Sequence, residues 1–549
     1  MRLTGAQGVA RLPEPTMSTD VYILTHDVGT TNNKTCLYRV GEAIALVDSA
    51  LADYPLYTTA EGGAEQDAGD WWSAVCRATR VVMGRSGIDP AQIRGMAFCA
   101  QMQAFVPVDA RGQVLRRPMI YMDQRATAQM ERGLQYGFPR IEGWNAYKTL
   151  RSLQITGGLS ASVKDPLWKY QWMRENEPEL FARLYKWLDV NDYLVLRSTA
   201  VFSMGVDSAH ATFMCDTRPG RIGWSEPICK LFDVNIDHLP PIIQSTDVAG
   251  ALTAAAAEEL GLVPGIPVFG GGGDLSLIAV GAGCLDLYDT HIYIGTSGWV
   301  AATVDKRMTD IGGLIASILG AIPGWYNYIA EQETAGRCLQ WVRDHLALDE
   351  IGVYLAGNPS MDAVGVVENL YEFLNQEVER VAPGSGGLIF TPWLHGNRSP
   401  FEDPHARGMF FNIGLETGKR EMVRAVLEGV AYHQRWMLER VEKKVPYRQS
   451  LRFVGGGAQS PAWGQILADV TSRRIEVVEN AQNAGTIGAA VVCAVGLGLL
   501  GSFHDARPLI TVERTFEPRP ANKAVYDRSF EVYVQLHQRN RELFKQLND

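Results

Sequence analysis

The chain has 549 residues, 46% hydrophobic and 20% charged, which exceeds what one core supports and predicts two large domains. A formal net charge of −10 excludes nucleic acid or an anionic membrane surface as the main partner, so small anionic ligands require local positive sites. The eight cysteines form no CxxC pair and the ten histidines no HExxH, which reads as buried thiols in a reducing cytoplasm and no catalytic transition metal.

Residues 1–18 lack the apolar core of a signal peptide and read as a disordered tail, with Met17 as an alternative start. The β-rich run Val21 to His26 leads into Asp27-Val28-Gly29-Thr30-Thr31. A second such run, Thr290 to Ile294, leads into Gly295-Thr296-Ser297-Gly298 half the chain later. One phosphate-gripping hairpin used twice predicts a duplicated nucleotide-binding fold. Glycine at positive φ is expected to make each turn tight, with backbone N–H groups and Thr or Ser hydroxyls facing phosphate oxygens. The first loop alone carries an acid, Asp27, and a base, Lys34. Asp27 either holds Mg²⁺ between itself and the phosphate or orders the turn through its side chain.

Gln92 to Cys99 reads as a strand, and strands alternate with helices throughout, which makes the class α/β. Pro166 to Trp187 predicts two helices around Pro178, and Ala254 to Leu260 a helix stopped by Gly261. A stripe from Val423 to Val441 and another through Tyr526, Phe530, Tyr533, Phe544 and Leu547 keep helical spacing and read as core. The apolar stretch Ala484 to Gly501 is interrupted by five glycines and reads as a buried helix. A boundary near residue 285, after Gly281-Ala282-Gly283-Cys284, gives domains 19–284 and 285–549 with a ligand cleft between them.

Four glycines, Gly270 to Gly273, precede Asp274 after the strand-like Ile266 to Phe269. They are expected to bring backbone close to a ligand, with Asp274 accepting a proton from a substrate hydroxyl; the alternative is an Asp that caps the following helix. Gly455-Gly456-Gly457-Ala458, between a strand and a helix, suits the floor of an adenine or ribose site, or an ordinary tight turn. Gln101 and Gln103 place amides in an apolar run, where sugar hydroxyls or neighbouring backbone satisfy them.

These motifs, in this order, resemble the FGGY carbohydrate kinase family, most closely its xylulose kinase branch, over residues 20 to 520. The loop from Asp27 with Lys34 resembles its first phosphate loop, and Glu65-Gln66-Asp67 before Trp71-Trp72 another of its motifs. Tyr121, Asp123 and Arg125 match its WxDxR, Gly271 to Asp274 the segment ending in the catalytic Asp, and Gly295 to Gly298 its second phosphate loop. The resemblance implies two ribonuclease H-like domains of the actin and Hsp70 ATPase type, with Asp274 as base and ATP and Mg²⁺ as cofactors. It implies sugar contacts from Gln101, Met102, Gln103, Asp123, Arg125 and Asp274. ATP contacts are implied for Gly29, Thr30, Thr31, Lys34, Gly295, Thr296, Gly336, Gln340, Gly456, Gly457, Ala458 and Ser460, and a metal contact for Asp27. Four positions depart from the pattern: Gln103 for His, Leu275 for Asn, Asn397 for Glu, and Asn412 for Gly. The implied activity is transfer of the ATP γ-phosphate to a terminal hydroxyl of a small ketose, D-xylulose first. The alternatives are a kinase of ribulose, erythritol or glycerol, a non-catalytic sugar sensor, and a chaperone-like ATPase. A homodimer is an open option.

Overall fold

The first hairpin joins β1 (Val21–Val28) to β2 (Asn32–Val40), with Asp27 opposite Lys34. It continues antiparallel into β3 (Ile44–Asp53). The chain returns in parallel beside β1 as β4 (Ile93–Ala100), after a helix, α1 (Ala68–Ser86), that covers one face of the sheet. Asp67 caps α1 by accepting from the Gly69 N–H, and Gly87 ends it in the left-handed region at φ 65°. An edge strand, β5 (Val248–Ala251), pairs with β6 (Pro267–Phe269), which lies parallel to β4; the short β7 (Gly272–Gly273) extends the same edge. The order across the sheet is β5-β6-β4-β1-β2-β3.

A second sheet repeats this plan. Its hairpin is β8 (Thr290–Ile294) and β9 (Gly298–Val304), followed by β10 (Thr309–Asp310), β11 (Ile315–Leu319) and β12 (Tyr326–Gln332). β13 (Ser450–Val454) and β14 (Arg474–Val478) run parallel to β8, and β15 (Val512–Phe516) closes the edge antiparallel. The order is β10-β11-β12-β9-β8-β13-β14-β15, so β12-β9-β8-β13-β14 repeats β3-β2-β1-β4-β6. The duplication inferred from two loops is a duplication of sheet topology.

The computed structural model describes residues 21–141, 143–346 and 376–548, and the tail expected over residues 1–18 lies outside them. Two helices tie the sheets together. α2 (Asp274–Gly281) follows the first sheet's glycine run, and α3 (Ala484–Gly496) follows the second sheet's β14, yet α3 packs on β1, β4 and α2. Each crossing point needs a glycine: a Cβ on Gly281 would sit 1.8 Å from the Ala484 carbonyl oxygen, and one on Gly488 1.9 Å from that of Leu277. One continuous core therefore runs from Ile23 and Cys99 to Phe453 and Val491. The apolar stretch from Ala484 is this buried helix, and no helix among the described residues is long and apolar enough to cross a membrane.

Other elements correct the sequence reading in detail. The predicted helix over Ala254 to Leu260 is present and stops at Gly261, φ 73°. The segment from Pro166 forms helices Pro166–Asn176 and Pro178–Phe181, but Trp187 belongs to a strand, Lys186–Leu188, paired to Val106–Val108. The helix Lys419–Val441 is buried all round from Val423 to Gln434 rather than along one stripe, because its polar face carries a buried Arg424–Glu428 pair at 2.7 Å. The C-terminal helix Lys523–Asn548 buries Tyr526 through Phe544, while Leu547 is 82% exposed. All eight cysteines are free thiols, and seven are buried.

Candidate active site

Both hairpin loops, the start of α2 and the glycine turn after β13 line one cleft of about 1810 Å³ between the sheets. Gln101, Met102 and Gln103 after β4 lie on its wall. So do Asp27, Gly29, Thr30, Thr31, Lys34, Asp274, Gly295, Thr296, Gly336, Gln340, Gly456, Gly457 and Ser460. Asp123, Arg125 and Ala458 do not. Asp123 accepts the Ala64 N–H at 2.8 Å and pairs with Arg125, which also binds Glu65 and lies 4.8 Å over Trp172. This buried ion pair props the strand before Gln66, one step behind the wall. Ala458 buries its methyl, and its carbonyl accepts from Arg514.

The turns are tight without positive φ. Neither Gly29 nor Gly295 is left-handed; instead the Gly29 N–H donates to Asn32 O at 3.0 Å and that of Gly295 to Ser297 O at 2.9 Å. Tyr54 clamps the first loop through hydrogen bonds to the carbonyls of Gly29 and Asn32. In the second loop, the Gly295 carbonyl accepts from Gly336 N at 2.8 Å, at the first residue of the helix Gly336–His345, and a Cβ on Gly336 would lie 2.4 Å from that oxygen.

The run Gly270 to Gly273 is tightly packed, and none of the four glycines lines the cleft. A Cβ on Gly270 would sit 2.4 Å from Gln244 O, on Gly271 2.3 Å from Phe98 O, on Gly272 2.8 Å from an Asp207 oxygen, and on Gly273 2.2 Å from the Met102 sulfur. Gly273 also donates its N–H to Asp207 at 2.8 Å. The crowding forces the chain to deliver Asp274 to the cleft floor. Gly273 is the helix cap and Asp274 the first helical residue, so the carboxylate is not spent as a cap and accepts only from its own neighbour, Leu275 N.

Burial pushes the Asp274 carboxyl up to about 7, and the charges of Asp27, Glu331 and Asp189 push the same way against the Leu275 N–H. Burial also raises Asp27, against the opposing pull of Lys34 and a hydrogen bond from Cys99. A base poised near neutrality beside a second raised carboxylate is a proton-transfer arrangement. These two carboxylates on one floor fit a divalent cation, although no group of three or more His, Cys, Asp or Glu side chains suited to a metal occurs among the described residues.

On the first sheet's side, Gln101 donates to Gln66 Oε1 at 2.7 Å, Gln66 donates to Thr30 O, and Trp71 donates to Gln66. That chain leaves the buried Gln101 Oε1 without a partner behind the cleft wall. Gln103 is held at φ 64°, its N–H on Asp189 at 2.8 Å and its carbonyl accepting from the buried Lys169 at 2.7 Å. Tyr121, named in the sequence only for its WxDxR match, hydrogen-bonds Thr30 at 3.2 Å, and sequence reasoning missed Tyr293, Lys164, Glu331 and Glu333 on the wall. None of these four has a motif signal of its own. On the second sheet's side, Gly456 is open: a Cβ there would meet nothing within 4 Å. Ser460 accepts from Trp463 N and caps the next helix, Pro461–Thr471. Asn412 stands where the family pattern has Gly and takes φ 72°, a conformation that Asn tolerates; Asn397 is buried on the carbonyls of Ser399 and Phe401.

Two sheets of one topology enclosing a cleft with two phosphate-type loops and a buried carboxylate define a sugar kinase of the actin and Hsp70 ATPase architecture. The chain matches the FGGY family of carbohydrate kinases, its N-terminal domain over residues 22–281 and its C-terminal domain over 291–497, and it belongs to that family. Xylulose kinase from Bacillus subtilis (strain 168) is 26% identical over 95% of this chain and 98% of its own length, and gluconokinase from the same organism 24% over 96% and 98%. Gluconate kinase from Lactobacillus acidophilus superposes with a TM-score of 0.82 at 22% identity, covering 96% of this chain and 100% of that one. Glycerol kinase from Plasmodium falciparum with ADP gives 0.75 at 17%, covering 94% and 98%. The chain is thus an ATP-dependent sugar kinase by family.

Proposed function

We propose that the protein phosphorylates a terminal hydroxyl of a small neutral ketose, D-xylulose first. Asp274 takes the hydroxyl proton, and the sugar is held from residues 19–284 and ATP from residues 285–549. The observation that carries this reading is the placement of Asp274, raised to about 7, on the floor shared by both hairpin loops. Gln103 on the cleft wall offers an amide that donates and accepts as a neutral His does. The open face at Gly456 suits the nucleotide. Mg²⁺, held from Asp27, would neutralise charge on the phosphates as they transfer.

A neutral sugar is favoured over an aldonate because, among the described residues, the cations on the cleft wall are already engaged. Lys164 pairs with Glu333, Arg398 with Glu331, Arg85 with Asp48, and Lys34 donates to Gln482 O. A carboxylate substrate would have to displace one of these partners. A second reading, another ketose or a polyol, is favoured by Leu275, which lines the cleft and offers no side-chain hydrogen bond. Comparing kcat/KM for D-xylulose, D-ribulose, L-ribulose, L-xylulose, erythritol, glycerol and gluconate decides between them. A tenfold preference for anything but D-xylulose replaces the first reading, and transfer to none of them removes both.

A further inference from the structure

We propose that the Tyr293 hydroxyl is a hydrogen-bond donor to the phosphoryl group in transfer, supplied by the strand leading into the second phosphate loop. The side chain packs against the second hairpin loop at Gly295 and the glycine turn after β13 at Gly455. Its ring stacks on Trp299 with centroids 3.9 Å apart and planes 16° apart, and Trp299 is fixed by donating to His291 at 3.0 Å. A Cβ on Gly295 would fall 2.2 Å from the Tyr293 hydroxyl, and a Cβ on Gly455 3.0 Å from its ring. The two loops therefore close over this one side chain, and the absence of a side chain at Gly295 leaves the phenol uncovered at the cleft.

The hydroxyl has no hydrogen-bond partner among the described residues, while the first loop's Thr30 is already occupied by Tyr121. Its surroundings keep it a donor. Burial raises the phenol above its ordinary value, and the charges of Asp27 and Asp274 raise it further, so it is protonated at working pH. A neutral O–H beside two carboxylates lowers the cost of bringing a polyanion there without adding a charge for them to neutralise. In the transfer, the sugar oxygen bonds to the γ-phosphorus as the bond from phosphorus to the bridging oxygen of ADP breaks. The hydroxyl proton goes to Asp274, the electron pair leaves with ADP, and Tyr293 keeps its proton.

This inference rests on the kinase reading of the same cleft, and Tyr293→Phe tests it because the ring, its stack on Trp299 and its packing against Gly455 survive while only the hydroxyl is lost. The full-length variant is compared with the wild type for its melting temperature, for kcat and KM with the best sugar of the panel, and for equilibrium binding of ADP and of a non-hydrolysable ATP analogue. The expected result is an unchanged melting temperature, kcat lower by about 10- to 100-fold, sugar KM and ADP affinity within about twofold, and weaker binding of the analogue. A kcat within twofold of wild type overturns the proposal. Equal weakening of ADP and the analogue overturns it in favour of a base platform, and a raised sugar KM in favour of a sugar contact. The two nucleotide affinities are read without sugar, so the inference is tested even where no sugar of the panel is a substrate.

Discussion

Lys164 and Glu333 meet across the cleft, Nζ to Oε1 at 3.1 Å, although 169 residues separate them and they belong to opposite sheets' halves. Arg398 approaches the same carboxylate at 3.8 Å, and although burial opposes it, Arg398 and Lys164 hold Glu333 below the usual carboxylate range. The pair forms part of the wall only in this arrangement of the domains. Lys164→Ala is expected to raise the sugar KM about two- to fivefold with little change in kcat, matching a partly exposed pair worth about 0.5–1 kcal/mol. Steady-state kinetics checks it, with Lys164→Glu combined with Glu333→Lys restoring the wild-type KM.

Asp274→Asn is expected to leave ADP binding intact and lower kcat by about 10² to 10⁴, the worth of a positioned general base. The wild-type pH profile carries the same signature. The carboxylate must be ionised to take a proton, so kcat/KM for the sugar rises with pH up to about 7 and levels above it. Stability has the opposite slope. Between the ordinary value of 3.8 and about 7 the folded chain keeps a proton that the unfolded chain releases, so this group's contribution falls as pH rises through that window. Melting curves at pH 5 and pH 8 should show Asp274→Asn gaining stability relative to wild type as pH rises, with the difference in its favour larger at pH 8 than at pH 5.

Asp27→Ala is expected to weaken the Mg²⁺ dependence of turnover while leaving sugar binding within about twofold, because the carboxylate stands at the entry to the first hairpin loop, paired in register with Lys34. Titrating Mg²⁺ at saturating ATP reads this directly. Full wild-type turnover in excess EDTA would remove the metal from the reaction.

Two adjacent glycines should behave in opposite ways. Gly455 has φ 93° and its Cβ would lie 2.6 Å from Ile294 O, so Gly455→Ala is expected to cost about 1–3 kcal/mol of stability. Gly456 has no such constraint, so Gly456→Val should fold normally yet raise the KM for ATP by tenfold or more as the side chain enters the nucleotide's space. Thermal melts paired with ATP kinetics separate the two.

Local chemistry carried much of this protein in its sequence. The strand before each hairpin loop is β-branched and aromatic and forms where expected, as do the helix stopped by Gly261 and the buried helix from Ala484. These depend on short-range propensity and periodicity. Asp274 was legible as a candidate site residue and lines the cleft, but the crowding around its four glycines was not legible, since their neighbours Gln244, Phe98, Asp207 and Met102 are distant in sequence. The same limit hid Tyr293, which reads as an ordinary strand residue until Gly295 and Gly455 close over it. It also hid that Asp123 and Arg125, implied as sugar contacts by the resemblance, pair with each other and do not line the cleft. The sequence by itself determined the repeated strand and loop chemistry and singled out Asp274 as the candidate base. Only the tertiary structure decided which side chains share the cleft, because burial, crowding and ion pairing are set by residues that meet across hundreds of positions.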